Sequence, residues 1–172
     1  VGDSTFFASA ITGVVNAVYN QANMVLVVLN NSTTAMTGHQ PHPGTGRTVM
    51  GEIVQKINIE QVLRGIGVTE IETINPLELE ASVSCVKRMT EKSGVRAIIF
   101  KAPCIAVTKP KAPLHVDQDS CISCKKCIRD LGCPAIVMND GKICIDASMC
   151  TGCHLCSQVC PVCAIAGGDD HE

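Results

Sequence analysis

Eight of the twelve cysteines fall into two near-copies of one pattern. "CISCKKCIRDLGCP" runs from Cys121 to Pro134, and "CTGCHLCSQVCP" runs from Cys150 to Pro161. Thiols two residues apart on a loop face a common centre and make poor disulfides with one another. The pattern therefore points to metal or cluster ligation in a reducing compartment. Three thiolates at i, i+3 and i+6 wrap one side of a compact core, and a fourth must arrive from elsewhere. A cubane iron–sulfur cluster needs that arrangement, and each run ends in a Cys-Pro that can supply the fourth ligand. The proline turns the chain there and removes a competing backbone donor. The second run fits C-x2-C-x2-C-x3-C-P without change, whereas five residues rather than three separate Cys127 from Cys133. A pair of zinc sites is the alternative. Structural zinc usually draws its cysteines as two separated pairs, which a doubled triplet suits poorly.

A second set of chemistry-bearing residues lies at the other end of the chain. It opens "VGDSTFF", and about 25 residues after Gly-Asp-Ser comes Asn30-Asn31, closing the apolar run "MVLVVL". An Asp at the end of one strand and an Asn at the end of the next meet on the carboxyl side of a parallel sheet, where ligands of such sheets bind. A carboxylate, an amide oxygen and a backbone carbonyl are hard donors that suit Mg²⁺, an ion that commonly bridges to phosphates. Ser4 and Thr5 begin the intervening helix, where free N–H groups favour an anion. His39 and His42 in "GHQPHPG" read either as a metal pair or as part of a loop facing solvent or a cofactor.

These residues need a scaffold. "FFASAITGVVNAVYNQ" (Phe6 to Gln21) carries small and apolar residues at helical spacing, and "MVLVVLN" reads as a strand buried on both faces of a parallel sheet. A polar loop rich in Gly and Pro runs from Asn31 to about Gly51. Then come a short helix at Ile59 to Gly65, a strand at Val68 to Thr73, a helix opened by Pro76 and stopping near Gly94, and a buried strand at Val95 to Ala102. Strands alternating with helices indicate α/β layers. "TKPKAPLHVD" reads as a linker, and the segments beyond it are short, so the chain divides into residues 1–109 and 110–172. Cys85, Cys104, Cys144 and Cys163 fall outside the repeat and read as small buried hydrophobes, with Cys144 in a short strand. "GGDDHE" reads as a frayed tail. The chain opens on Val1 rather than Met, directly on a strand-to-loop signal. It is expected to be the C-terminal piece of something longer, a processed or engineered start being the other reading.

The 172 residues suffice for one ordinary domain or two small ones, and 46% hydrophobic residues can fill a core. A net charge of −2 argues against a nucleic-acid surface, which carries a basic excess. The longest apolar run, Met24 to Leu29, is far too short to span a membrane. A cytoplasmic protein with neither nucleic acid nor membrane as partner is expected.

Over about 55 residues the cysteine-bearing part resembles bacterial-type two-cluster ferredoxins, in which the cysteine before proline ligates the other cluster. That resemblance implies Cys121, Cys124, Cys127 and Cys160 around one [4Fe–4S] cluster, and Cys150, Cys153, Cys156 and Cys133 around a second. Upstream, Gly2-Asp3-Ser4, the gap and the closing Asn resemble the diphosphate-binding motif of thiamine diphosphate enzymes. This implies Mg²⁺ held by the Asp3 and Asn31 side chains and the Thr33 carbonyl, with Asn30 orienting the loop. Thr37, Gly38, His39 and Gln40 would lie against the diphosphate or the thiazolium. "TTAMTGHQPHPG" is similar to the loop after this motif in 2-oxoacid:ferredoxin oxidoreductases, above all their indolepyruvate branch.

The implied fold is a partial thiamine diphosphate-binding three-layer α/β domain with a parallel sheet, followed by a small α+β bacterial-type 2[4Fe–4S] ferredoxin-like domain. The implied chemistry is oxidative decarboxylation of a 2-oxoacid, an arylpyruvate, to its acyl-coenzyme A. Electrons would pass singly through the clusters to a soluble ferredoxin, in company with a β subunit. In such enzymes a Glu from a separate pyrimidine-binding domain activates the cofactor. No such domain fits in this chain, which is expected to lack turnover alone and to fold incompletely in its first half. Two other readings stay open: an electron carrier with no thiamine chemistry, and the same chemistry on pyruvate or 2-oxoglutarate.

Overall fold

The computed structural model describes residues 1–167. Residues 168–172, most of the "GGDDHE" segment, lie outside the described residues. The chain divides into two compact units, Val1–Val107 and Thr108 onward.

The first unit is built on three parallel strands, β1 (Met24–Asn30), β2 (Glu70–Ile74) and β3 (Val95–Lys101), in the order β1-β3-β2. Gly2 adds a parallel bridge to Leu29, whose N–H donates to the Val1 carbonyl at 2.8 Å. The chain then turns into α1 (Asp3–Thr5), a π-helical segment Phe6–Ala10, and α2 (Ile11–Tyr19). α3 (Ile59–Ile66) and α4 (Leu79–Glu91) complete the unit.

Successive strand residues face opposite sides of a sheet, and both sides are buried here. Leu26, Val28, Ala97 and Ile99 pack with Phe6, Val14, Ile59, Leu63 and Val68 on one side. Ile98 packs with Cys85 and Met89 on the other, joined by Val25, Ile74 and Phe100. Helices thus cover both faces of a parallel sheet, in the three-layer α/β arrangement expected.

Three boundaries differ from the sequence reading. The helix expected from Pro76 begins only at Leu79, because Asn75 holds a turn: its Oδ1 accepts from Leu77 N–H at 3.0 Å and its carbonyl from Glu78 N–H at 3.1 Å. The strand expected from Val68 begins at Glu70. Val68 instead closes α3, with Gly67 left-handed at φ 107 and the Val68 N–H returning to the Leu63 carbonyl at 3.0 Å. The helix expected from Phe6 starts three residues earlier, at Asp3.

The second unit is a repeat folded onto itself. β4 (Leu114–Val116) leads to the first cysteine triplet, α5 (Lys126–Leu131) and β5 (Ile136–Asn139). β6 (Lys142–Ile145) leads to the second triplet, α6 (Leu155–Val159) and β7 (Ile165–Gly167). β4 pairs antiparallel with β7, and β5 with β6. The residues read as a linker therefore include a strand, and Gly167 belongs to β7 rather than to a tail. Cys144 lies in β6 as expected.

Of the four remaining cysteines only Cys85 is buried. Cys104 and Cys144 are half-buried, and Cys163 is exposed at a left-handed turn (φ 51) after Pro161. Among the described residues no helix is long and apolar enough to cross a membrane.

Leu63 is fully buried, whereas Val83 on α4 is 44% exposed. Leu63→Ala is expected to cost about 2–5 kcal/mol of stability, and Val83→Ala less than about 0.5 kcal/mol, read from urea unfolding curves.

Candidate functional site

Asp3 stands where the Val1–Gly2 segment turns into the first helix, and its side chain is 3% exposed. A buried carboxylate is costly unless its oxygens are hydrogen-bonded. Oδ1 accepts from Ser4 N–H and Oδ2 from Ser32 N–H, both at 2.8 Å. The loop after β1 is shaped to supply the second of these. Ser32 is left-handed at φ 60, and its N–H also reaches Asn30 Oδ1 at 3.1 Å. Asn31 Oδ1 accepts from the N–H of buried Thr33 at 3.2 Å. The backbone is anchored as well, since Ala102 N–H donates to Asn30 O and Cys104 N–H to Asn31 O. Asp3 is thereby tied to the loop that carries Asn30, Asn31 and Thr33, at the carboxyl end of the sheet. The Gly2 carbonyl starts the helix by accepting from Phe6 N–H at 2.8 Å. The Ser4 N–H, read as open to an anion, is spent on Asp3.

Thr37, Gly38 and His39 behave differently. They are exposed, in a hairpin closed by the Thr34–Gln40 bridge, with Thr37 hydrogen-bonded to the Gln40 side chain. None of the three hydrogen-bonds Asp3, Asn30 or Asn31. His39 and His42 form no pair either. His39 is exposed at φ 63, whereas the His42 side chain is only 6% exposed, its Nε2 3.2 Å from Asp3 Oδ2 but off the line of a hydrogen bond.

His42 is the residue the sequence left ambiguous. Its Nδ1 accepts from Gly44 N–H at 3.1 Å, and its ring lies against Phe7 at a centroid distance of 5.7 Å. A Cβ at Gly44 would come within 2.9 Å of the Phe7 ring and 3.0 Å of His42. Glycine there lets the loop close over Asp3. Asn30, Ser32, His42, Lys56 and Lys101 line a cavity of about 490 Å³ in the same region, a size that suits a small-molecule site. A buried carboxylate, an amide oxygen at Asn31 and the neighbouring Thr33 carbonyl are hard oxygen donors of the kind that would suit Mg²⁺. His42 Nε2 is not among them, since Nδ1 accepts from Gly44 N–H and Nε2 therefore carries the ring proton.

In the second unit, Cys121, Cys124, Cys127 and Cys160 line one cavity, walled by Val116, Ile143 and Ile165. Burial pushes the Cys127 thiol up, and the neighbouring Cys124 and Cys160 push it further the same way. Cys156 is pushed up to about 11, by burial first and then by Cys153, Cys150 and Cys133 facing it. Each triplet is thus joined by the Cys-Pro of the other half, which fits two crossed clusters. Backbone donors already point at two sulfurs: Ala164 N–H lies 3.2 Å from Cys160 Sγ, and Leu114 N–H 3.5 Å from Cys150 Sγ. Among the described residues no three metal-binding side chains are grouped around one ion-sized point. A cubane cluster would need no such point, since its thiolates would each bind a different iron.

The residues that aim the triplets escaped the sequence reading. Asp117 and Asp146 each precede the first cysteine of a triplet by four residues, a spacing visible in "DQDSC" and "DASMC". Each accepts at its carbonyl from that cysteine's N–H, at 3.0 Å in both halves. Each donates its own N–H across the repeat at 2.8 Å, Asp117 to Ala164 and Asp146 to Ala135. The Ser120 hydroxyl holds the Asp117 carboxyl below the usual carboxylate range, and the Ser148 hydroxyl does the same for Asp146.

Thiolate is the reacting form of cysteine, so burial that raises a thiol pKa slows alkylation. In the metal-free protein near pH 8, peptide mapping after iodoacetamide should find exposed Cys124 and Cys163 modified first. Cys85, Cys127 and Cys156, buried and shifted upward, should be modified last.

Comparison with known proteins accords with this geometry. Residues 1–100 match the family model described as thiamine pyrophosphate enzyme, C-terminal TPP binding domain. Indolepyruvate oxidoreductase subunit IorA of Methanothermobacter thermautotrophicus is 45% identical over 167 residues, 96% of this chain and 27% of the relative. The subunits of the same name from Archaeoglobus fulgidus and Thermococcus kodakarensis are 40% and 39% identical, each over 94% of this chain and 27% and 26% of their own lengths. The chain therefore spans about a quarter of the length of the curated relatives it matches. With a parallel α/β unit that buries Asp3 beside Asn30 and Asn31, and with this match over its first 100 residues, the chain belongs to the thiamine pyrophosphate enzyme family through its C-terminal TPP-binding domain.

Proposed function

We propose that the chain is the cofactor-holding and electron-transferring end of a 2-oxoacid:ferredoxin oxidoreductase that acts on indolepyruvate or a related arylpyruvate. The observation that carries this reading is the pairing, in one chain, of a buried hard-oxygen site at Asp3 with two crossed thiolate quartets. The name borne by the relatives, indolepyruvate oxidoreductase, supports the choice of substrate. A 2-oxoacid, coenzyme A, a soluble ferredoxin, a β subunit and a pyrimidine-binding domain complete the system, in the cytoplasm.

Thiamine diphosphate would supply a nucleophilic carbon and an electron sink, Mg²⁺ a clamp on its diphosphate, and two [4Fe–4S] clusters one-electron steps. The chain's own residues have the following parts. Asp3, Asn31 and the Thr33 carbonyl hold the ion, and Gly2 and Ser4 set the turn that places Asp3. Asn30 fixes Ser32, whose N–H keeps the Asp3 carboxylate oriented. His42 covers Asp3 against water. In the second unit, which this reading makes a ferredoxin-like domain of residues 110–172, Cys121, Cys124, Cys127 and Cys160 hold one cluster. Cys150, Cys153, Cys156 and Cys133 hold the other. The apolar walls around the first quartet shield Cys127, its buried member, while Cys124 stays exposed.

In the complete enzyme, Asp3→Ala should abolish Mg²⁺-dependent thiamine diphosphate binding measured by calorimetry. His42→Ala, which removes an outer neighbour, should weaken it about ten-fold. A complete enzyme indifferent to thiamine diphosphate would leave an electron carrier as the better reading. Cys133→Ser and Cys160→Ser should each remove about half of the iron and sulfide, leaving different paramagnetic signals behind. The 172-residue chain by itself should show no decarboxylation.

A further inference from the structure

The two thiolate quartets come from one repeated fold, so each serves as the control for the other. "CISCKKCIR" aligns with "CTGCHLCSQ", and Lys125 and His154 occupy the same left-handed position, φ 61 in both, just before their helices. The surroundings of the two loops are not alike. In the second loop Gly152 is buried and Cys153 and His154 are half-buried, because residues 111–114 lie over it. Lys111 N–H donates to Thr151 O at 3.2 Å, and a Cβ on Gly152 would stand 2.7 Å from the Ala112 carbonyl. The first loop is bare. Ile122 is 62% exposed, and Ser123, Cys124 and Lys125 are exposed with it.

Charge divides the same way. Around the first loop stand Lys125, Lys126 and Arg129, with Asp130 as a countercharge paired to Lys126. Arg129 Nη2 donates to the Cys124 carbonyl at 3.3 Å, which places a guanidinium beside the exposed ligand. The aligned positions of the second loop hold His154, Leu155 and Gln158. One loop is thus apolar at its tip, cationic at its rim and open to solvent. The other has no formally charged side chain at the aligned positions and is covered by a segment that brings Lys111 over it.

We propose that the first loop, Ile122 to Lys126 with Arg129, is the port through which electrons leave, and that a negatively charged one-electron carrier docks there. The proposal rests on the cluster reading above. One electron passes from the centre held by Cys121, Cys124, Cys127 and Cys160 to the carrier. The centre is oxidised by one equivalent as the carrier is reduced by one, and no bond or proton moves. Tunnelling falls steeply with distance, so transfer favours the ligand shell that reaches the surface. Opposite charge speeds the encounter without requiring a large interface, as suits a transient redox contact.

The test is stopped-flow oxidation of the pre-reduced complete enzyme by an acidic [2Fe–2S] ferredoxin, across a range of ionic strength. Lys125→Glu with Arg129→Glu should lower the second-order rate constant roughly ten-fold or more at low salt, with the gap closing as salt screens the charges. Arg129→Glu alone, which spares the left-handed residue, should act in the same direction. Gln158→Glu, the same charge placed on the second loop, should change the rate less than about two-fold. Oxidation by a small neutral quinone should be unaffected in all variants. Equal rates and salt slopes for parent and double variant, with iron and sulfide intact, would overturn the port while sparing the clusters, as would an equal loss from Gln158→Glu. An enzyme that holds no iron and sulfide would overturn both.

Discussion

A carboxylate out of water must find partners, and the first unit is arranged around that requirement at Asp3. Its partners come from two places far apart in sequence: the adjoining Ser4 N–H and the Ser32 N–H beyond β1. To bring Ser32 there, the chain needs Asn30 at the end of the strand, a left-handed residue after Asn31, and an anchor on the backbone following β3. Phe7, His42 and Gly44 then close the loop from the other side. Removing the carboxylate would take its acceptor from the Ser4 N–H and one of two acceptors from the Ser32 N–H, and would remove the group over which His42 packs. The residues proposed to hold the ion are, on this account, the same ones that hold the loop.

The second unit solves a different problem. On the cluster reading proposed above, each cysteine triplet wraps only one side of a core, and neither half of the repeat closes its own shell. Pairing β4 with β7 and β5 with β6 brings the Cys-Pro of each half to the triplet of the other. The reciprocal bonds of Asp117 and Asp146 hold this exchange in place, since each ties one strand end to the far half while presenting its own triplet. The two-residue difference in spacing between the halves is absorbed between Cys127 and Cys133. The left-handed residues before α5 and α6 remain equivalent.

Much of this was legible in the linear chain. Continuous apolar runs predicted strands buried on both faces, and the alternation of strand and helix predicted layers on both sides of the sheet. These patterns are local, because a strand covered on both faces is apolar at most of its positions. Arg96 in β3 is the buried exception, bonded to the Asn23 side chain and the Gly94 carbonyl. Boundaries were less legible. Asn75 delays α4, and Val68 closes α3 instead of opening a strand, through backbone hydrogen bonds that hydrophobic periodicity does not encode. Reading all the spare cysteines as buried failed at Cys163, because residue type predicts average burial and not the turn in which a residue sits.

The sequence by itself determined which atoms are available for chemistry: two thiolate triplets with their Cys-Pro partners, and an Asp and Asn at strand ends on either side of a helix. Ligand type and loop spacing are properties of the chain, readable without folding it. The tertiary structure alone decided that His42 covers Asp3 while His39 turns away, that Thr37 and Gly38 close on their own hairpin, and that one cysteine loop is covered while its near-copy lies bare. Each of these depends on which distant segment arrives to remove water from a group. That outcome is set by packing among residues far apart in the chain, and no spacing along the sequence records it.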